Sequence, residues 1–280
     1  MLAPWLLGVG VLVALPALMA IAVAFTRYDA LTPPRWCGAG NFRDLLANDL
    51  FRIAVRNSAV FVLLAVPLRM LGALALALVL KSPRPGVALH RMAVFFPAII
   101  PDVAYALLWL GILNPLYGPL NVALHALGLP APAWLADEQT ALPALVLMSV
   151  FQIGEGFIVL LAGLQGIPDE YYQAAALEGA NRWQRFRWIT LPLLAPWLLL
   201  LTIRDIILSA QSTFAPAFIM TDGGPYYATL FVPLLVYQEA FTGLRFGSAA
   251  AIMLLLLLGA ALLIGLVFLV VRGWGYGDEV

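Results

Sequence analysis

Six long apolar runs, at about residues 2–25, 54–80, 92–113, 141–164, 193–220 and 246–271, alternate with polar segments along the chain. Each is long enough to cross the ~30 Å hydrocarbon core of a bilayer, which takes about 20 helical residues. Lipid offers no partner to a free N–H or C=O, so runs of this length predict helices. The expected fold is all-α, a polytopic bundle of six transmembrane helices forming one domain over residues 1–280. The first run begins at the initiator methionine, carries no basic leader and no small-residue cleavage site, and is too long for a signal peptide. It is expected to stay as a helix.

The polar segment 165–191 is punctuated unlike the others. Pro168, followed by Asp169 and Glu170, predicts a helix start, with the acids answering the positive end of the helix dipole. Gly179 predicts a left-handed stop. Asn181 and Gln184 have the spacing of a capping box that starts a second helix, and Pro192 is expected to begin the next apolar run. Two short helices joined at a glycine, outside the membrane, make a shaped knob for docking.

Composition narrows the function. The chain is 63% hydrophobic and 11% charged, whereas about 25% charged residues is usual in a soluble domain. A net charge of zero gives no field for nucleic acid. Cys37 is the one cysteine, so neither an intrachain disulfide nor a cysteine metal cluster is expected. His90 and His125 lack ligand spacing, so no metal site is expected. Lys81-Ser82 follows no glycine-rich loop, and the H-E-x-x-H and G-x-S-x-G patterns are absent. No catalytic residue and no cofactor of its own is expected. Asp102 and Asp205 as an intramembrane aspartyl pair find no support in their flanks.

Arg69, Asp102, Glu155, Arg204 and Asp205 fall inside the apolar runs. Insertion of Arg or Asp at a helix centre costs about 2.5–3.5 kcal/mol, so such residues are expected to pair or to face a wet cavity. Asp102, Tyr105 and Trp109 share one helical stripe, Gln152 and Glu155 another, and Arg204, Leu208 and Gln211 a third, with Asp205, Ser209 and Ser212 beside it. Asp102, Tyr105, Gln152, Glu155 and Gln211 are the candidate substrate pathway: carboxylates and amides suit hydroxyls, and aromatic faces suit the C–H faces of a sugar. The competing readings are structural ion pairs, polar contacts between helices, and Trp109 as an interfacial anchor. Gly154, Gly156, Gly163 and Gly166 predict close helix approach, and Pro97 with Pro101 predict a static bend.

Ala174, Ala175, Gly179, Ala180, Phe186, Ile189, Pro192 and Pro196, within IPDEYYQAAALEGANRWQRFRWITLPLL, stand as in the EAA loop of the permeases of binding-protein-dependent ABC importers. The segment most resembles the sugar-importing branch, although the leading Glu of that motif is here Gln173 and its Asp is Glu178. Other stretches are similar to the same branch: Asn41-Phe42 and Asn57; Trp109, Asn114, Pro115, Gly118, Leu120 and Asn121; Thr221, Gly223, Gly224, Pro225 and Thr229; and Tyr237, Ala240, Phe241, Gly247, Ala249 and Ala250. The resemblance spans nearly the whole chain, in order.

It implies that Gln173, Ala174, Ala175, Glu178, Gly179, Ala180, Arg182 and Phe186 couple the permease to an ATPase. It also implies a second permease subunit, two ATP-binding-cassette subunits that hold ATP and Mg, and an extracytoplasmic solute-binding protein. The expected location is the cytoplasmic membrane, with both termini inside. Loop charge alone barely decides this, since Lys81, Arg84, Arg91, Arg182, Arg185, Arg187 and Arg272 on one side nearly balance Arg27, Arg35, Arg43, Arg52, Arg56 and Arg245 on the other. The alternative is an ion-coupled secondary transporter using Asp102, Glu155 and Asp205 as proton sites, but the expected internal repeat is not evident.

Overall fold

The computed structural model describes residues 2–272. The tail 273–280, whose expected place is the cytoplasmic side, lies outside the described residues. Four helices cross by length and composition alone, or six if each of two bent pairs counts as one span. These are α1 (Ala3–Ala24), α3 (Asp49–Leu80), α10 (Arg182–Thr221), α12 (Phe246–Arg272), and the pairs α4 (Val87–Ile99) with α5 (Asp102–Ile112) and α7 (Glu138–Val150) with α8 (Gly154–Gln165). Between them lie a two-residue hairpin, β1 (Thr26–Arg27) with β2 (Arg35–Trp36), and the short helices α2 (Gly40–Ala47), α6 (Pro119–Ala126), α9 (Asp169–Leu177) and α11 (Val232–Tyr237). The expected all-α bundle is thus observed.

α3 is the axis of the bundle. Asn48 caps it by accepting from the Leu50 amide at 2.8 Å, and it packs against α7, α8, α10 and α11. Two apolar clusters flank it. One, around Phe61, Leu145, Phe231 and Ile252, fills the end opposite the 165–191 segment; the other, around Phe157, Leu160, Leu164 and Leu194, fills the end next to it.

Two expected spans are broken rather than straight. The 92–113 run turns by 105° between α4 and α5, far beyond the static bend predicted from Pro97 and Pro101. Ile100 is forced extended (ψ 127°) ahead of Pro101, so α5 starts anew at Asp102. The 141–164 run bends by 44° at the Phe151–Ile153 junction. The two breaks touch: a Cβ on Gly154 would lie 2.9 Å from the Phe95 Cα, so only glycine lets α8 start against α4. Gly163 similarly admits Leu194 and Trp197 of α10, at 3.0 and 3.1 Å from where its Cβ would sit.

The fifth run also differs. Pro192 does not begin it, because a single helix of 40 residues runs from Arg182 to Thr221. A π turn over Phe186–Thr190 closes with the Leu191 amide on the Phe186 carbonyl. The wider turn carries the helix past Pro192, which has no amide to donate.

Candidate coupling and translocation sites

The 165–191 segment is built as its punctuation predicts. α9 begins after Pro168 with Asp169 and Glu170 in its first turn. Gly179 is left-handed (φ +77°), and the Ala180 amide closes on the Ala175 carbonyl at 2.9 Å. The capping box is complete: the Gln184 amide donates to Asn181 Oδ1 at 2.9 Å, and the Asn181 amide donates to Gln184 Oε1 at 2.7 Å. Asn181 caps the long α10 rather than a second isolated helix.

The inner side of this corner is anchored. Tyr172 and Phe186 pack on the Phe157–Leu194 cluster, the Tyr172 hydroxyl lies 3.0 Å from Thr190 Oγ1, and Lys81 Nζ sits 4.6 Å over the Tyr172 ring. Phe186 therefore holds the corner to the bundle as well as standing in the motif. The outer side is open. Gln173, Ala174, Glu178, Gly179 and Arg182 are exposed, Ala175 and Ala180 half-buried. Beside them Leu177 is 90% exposed and Trp183 68%. Both are large apolar groups held out on the outer side of the corner. Sequence reading missed Leu177 and Trp183, although large apolar residues inside a polar interruption are a readable signal.

The residues expected in the pathway do not form one surface. Tyr105 and Trp109 are buried, their ring centroids 6.2 Å apart, and the Tyr105 hydroxyl donates to the Met148 carbonyl at 2.8 Å. Asp102 is exposed at the first turn of α5 and pairs with neither Arg69 nor Arg204. It shares α5 with Tyr105 and Trp109 but stands in the exposed first turn, directly after the break at Pro101. Tyr105 thus joins the core in this conformation.

The other three stand on α8, on α10 and at the junction before α8. Arg204 projects from α10 onto Glu155, at the first turn of α8, and this ion pair is open, with side chains 38% and 52% exposed. Gln211 is exposed two turns along α10. Gln152 and Ser212 line a cavity of about 20 Å³ with Ser149 and Thr213, where the buried Thr213 hydroxyl has no partner. One residue on and about 100° round α10, Asp205 meets Arg69 at 3.0 Å, buried, with Ser209 accepting from the same guanidinium. Of the two arginines and three carboxylates, four have paired.

The remaining motif residues are clips. Asn41 Nδ2 donates to the Ala24 and Thr26 carbonyls, each at 2.8 Å. Asn57 Nδ2 donates to the Tyr227 and Leu230 carbonyls at 2.8 and 3.2 Å. Asn121 is 1% exposed and accepts from Trp134 Nε1 at 2.7 Å. Thr229 donates to the Gly224 carbonyl at 2.7 Å, folding the 221–229 loop through left-handed Gly223.

Residues 83–275, enclosing both sites, match the family described as binding-protein-dependent transport system inner membrane component. The chain belongs to that family. Among relatives of this permease, the probable ABC transporter permease YesP of Bacillus subtilis is 34% identical over 96% of the chain and 87% of its own length. The sn-glycerol-3-phosphate transport system permease UgpA of Brucella abortus is 32% identical over 84% of the chain and 81% of its own. A solved chain of a bacterial alginate ABC transporter, in complex with an alginate pentasaccharide-bound periplasmic protein, superposes with a TM-score of 0.82 at 21% identity, covering 95% of this chain and 91% of that one. Its likeness concerns the fold. A permease of this family is a transport component rather than an enzyme.

Proposed function

We propose that the permease forms half of the pathway of an ATP-driven importer for a sugar or sugar-like solute. One of two ATPase subunits docks on the α9–α10 corner, a second permease covers the open face around Glu155, Arg204 and Gln211, and an extracytoplasmic binding protein delivers the solute. ATP and Mg belong to the ATPase subunits. The carrying observation is that one helix, α10, bears both the exposed docking corner at Arg182 and the open ion pair at Arg204. An ion pair exposed midway along an apolar helix is not stable against lipid; it needs water, a polar partner or a passing solute. The relatives' printed roles, glycerol phosphate and alginate transport, support a hydroxyl-rich cargo. The corner faces the cytoplasm on this reading, which puts the amino terminus on the same side.

ATP closes the ATPase dimer, the corner moves with it, and α10 carries that movement to the face at Arg204. The test is copurification and reconstitution. ATPase subunits should remain with the permease in detergent, and proteoliposome uptake should require ATP and the binding protein. Uptake driven by an ion gradient through this chain alone would overturn the proposal.

A further inference from the structure

We propose that the Glu155–Arg204 pair sets the charge selectivity of the pathway, so that the permease carries a neutral polyhydroxylated solute and excludes anions such as phosphate esters and uronates. The inference rests on the pathway reading above. Of the two arginines inside the spans, Arg69 is buried against Asp205 and is unavailable to a solute. Arg204 is the cation on the open face, and Glu155 already neutralises it. The face therefore carries no net positive charge.

An anionic solute would have to displace Glu155 from Arg204 against the repulsion of the Glu155 carboxylate. A neutral polyol displaces nothing. Its hydroxyls donate to the Glu155 carboxylate and accept from the Arg204 guanidinium, while Gln211, exposed two turns along α10, offers both a donor and an acceptor. A pair 38% and 52% exposed has free lone pairs and N–H groups for this. The same pairing in a buried site would be closed to solute, as Arg69–Asp205 is.

The experiment uses the assembled importer. Proteoliposome uptake is measured with panels of neutral oligosaccharides, oligouronates and glycerol 3-phosphate. Melting of the complex without binding protein is then followed with glycerol and with glycerol 3-phosphate, for wild type, Glu155→Gln and the swapped pair Glu155→Arg with Arg204→Glu. Neutral saccharides alone should be taken up by wild type. Glu155→Gln, which releases the Arg204 charge, should tighten glycerol 3-phosphate binding roughly tenfold, or about 1.4 kcal/mol. The swapped pair should keep both assembly and neutral uptake. Transport of glycerol 3-phosphate or oligouronates by wild type, or rejection of every neutral saccharide, overturns the charge assignment while leaving the pathway intact. Unchanged uptake and melting in both variants removes the pathway reading itself.

Discussion

Arg69 of α3 and Asp205 of α10 meet at 3.0 Å with side chains 8% and 9% exposed, whereas Arg204, one residue earlier, meets Glu155 on the open side of the same helix. Successive residues on a helix point about 100° apart, so the pair Arg204-Asp205 serves two different environments. The buried contact joins α3 to α10 and the open one joins α10 to α8.

Breaking the buried pair leaves an uncompensated charge among apolar helices, which typically costs about 3–5 kcal/mol. Asp205→Ala should sharply reduce the yield of assembled complex and its melting temperature. Arg69→Met combined with Asp205→Leu should recover most of both, because a well-packed apolar pair avoids the desolvation that the ions require. Size-exclusion yield and thermal melting read the outcome; a double variant no better than the single ones would show that the ion pair itself is needed.

Gly179 tests the docking corner. No atom lies within 4 Å of where its Cβ would sit, so a substitution there acts through backbone strain, about 1–2 kcal/mol for a residue with a Cβ. Gly179→Asn, which tolerates a left-handed backbone, should retain ATP-driven uptake. Gly179→Val should insert normally yet lose coupling or ATPase association. Equal uptake by the two variants would place the corner outside the coupling path.

Gly154 and Gly156 sit two residues apart but differ in surroundings. A Cβ at Gly156 makes ordinary contact, 3.7 Å from the Ala73 Cβ, against 2.9 Å to the Phe95 backbone at Gly154. Gly156→Ala should assemble like wild type, while Gly154→Ala should push α4 from α8 and lower the melting temperature by several degrees, the shift expected for about 1–2 kcal/mol. Melting curves of the two complexes decide it.

Labelling settles orientation. Asn121 is buried and bonded to Trp134, whereas Tyr117, in the same loop region, is 72% exposed and serves as the outer-side marker. In a Cys37→Ser background, Tyr117→Cys and Asp222→Cys should react with an impermeant reagent on intact cells, and Asn181→Cys only after lysis. Reaction of the 181 variant in intact cells would invert the topology.

Local signals were legible because they act over three or four residues. The Asn181–Gln184 box, the Gly179 stop and the start after Pro168 all formed as spaced. The charge partners were half legible: two arginines and three carboxylates announced pairing, but which pairs form depends on helix rotation, which apolar runs on all sides do not encode. Asp102, Tyr105 and Trp109 do share one helix, but nothing local to the sequence shows that Asp102 stands in its exposed first turn while the other two are buried. Pro101 precedes that helix at a 105° turn, well beyond the bend expected of it. Pro192 misled in the other direction, since a π turn absorbs a proline that usually breaks a helix. The asparagine clips carry no local pattern at all: Asn57 reaches carbonyls 170 and 173 residues away.

α10 is 40 residues long, about 60 Å at 1.5 Å per residue, twice the thickness of the hydrocarbon core. Arg182 and Arg204 are thus roughly 33 Å apart along one continuous helix. A sideways shift of roughly 3 Å at Arg182 tilts that helix by about 5° at the level of Arg204. On the proposed function, an ATPase displacing its contact by the length of a single hydrogen bond would swing Arg204 relative to Glu155, and the ion pair would be the short end of a lever.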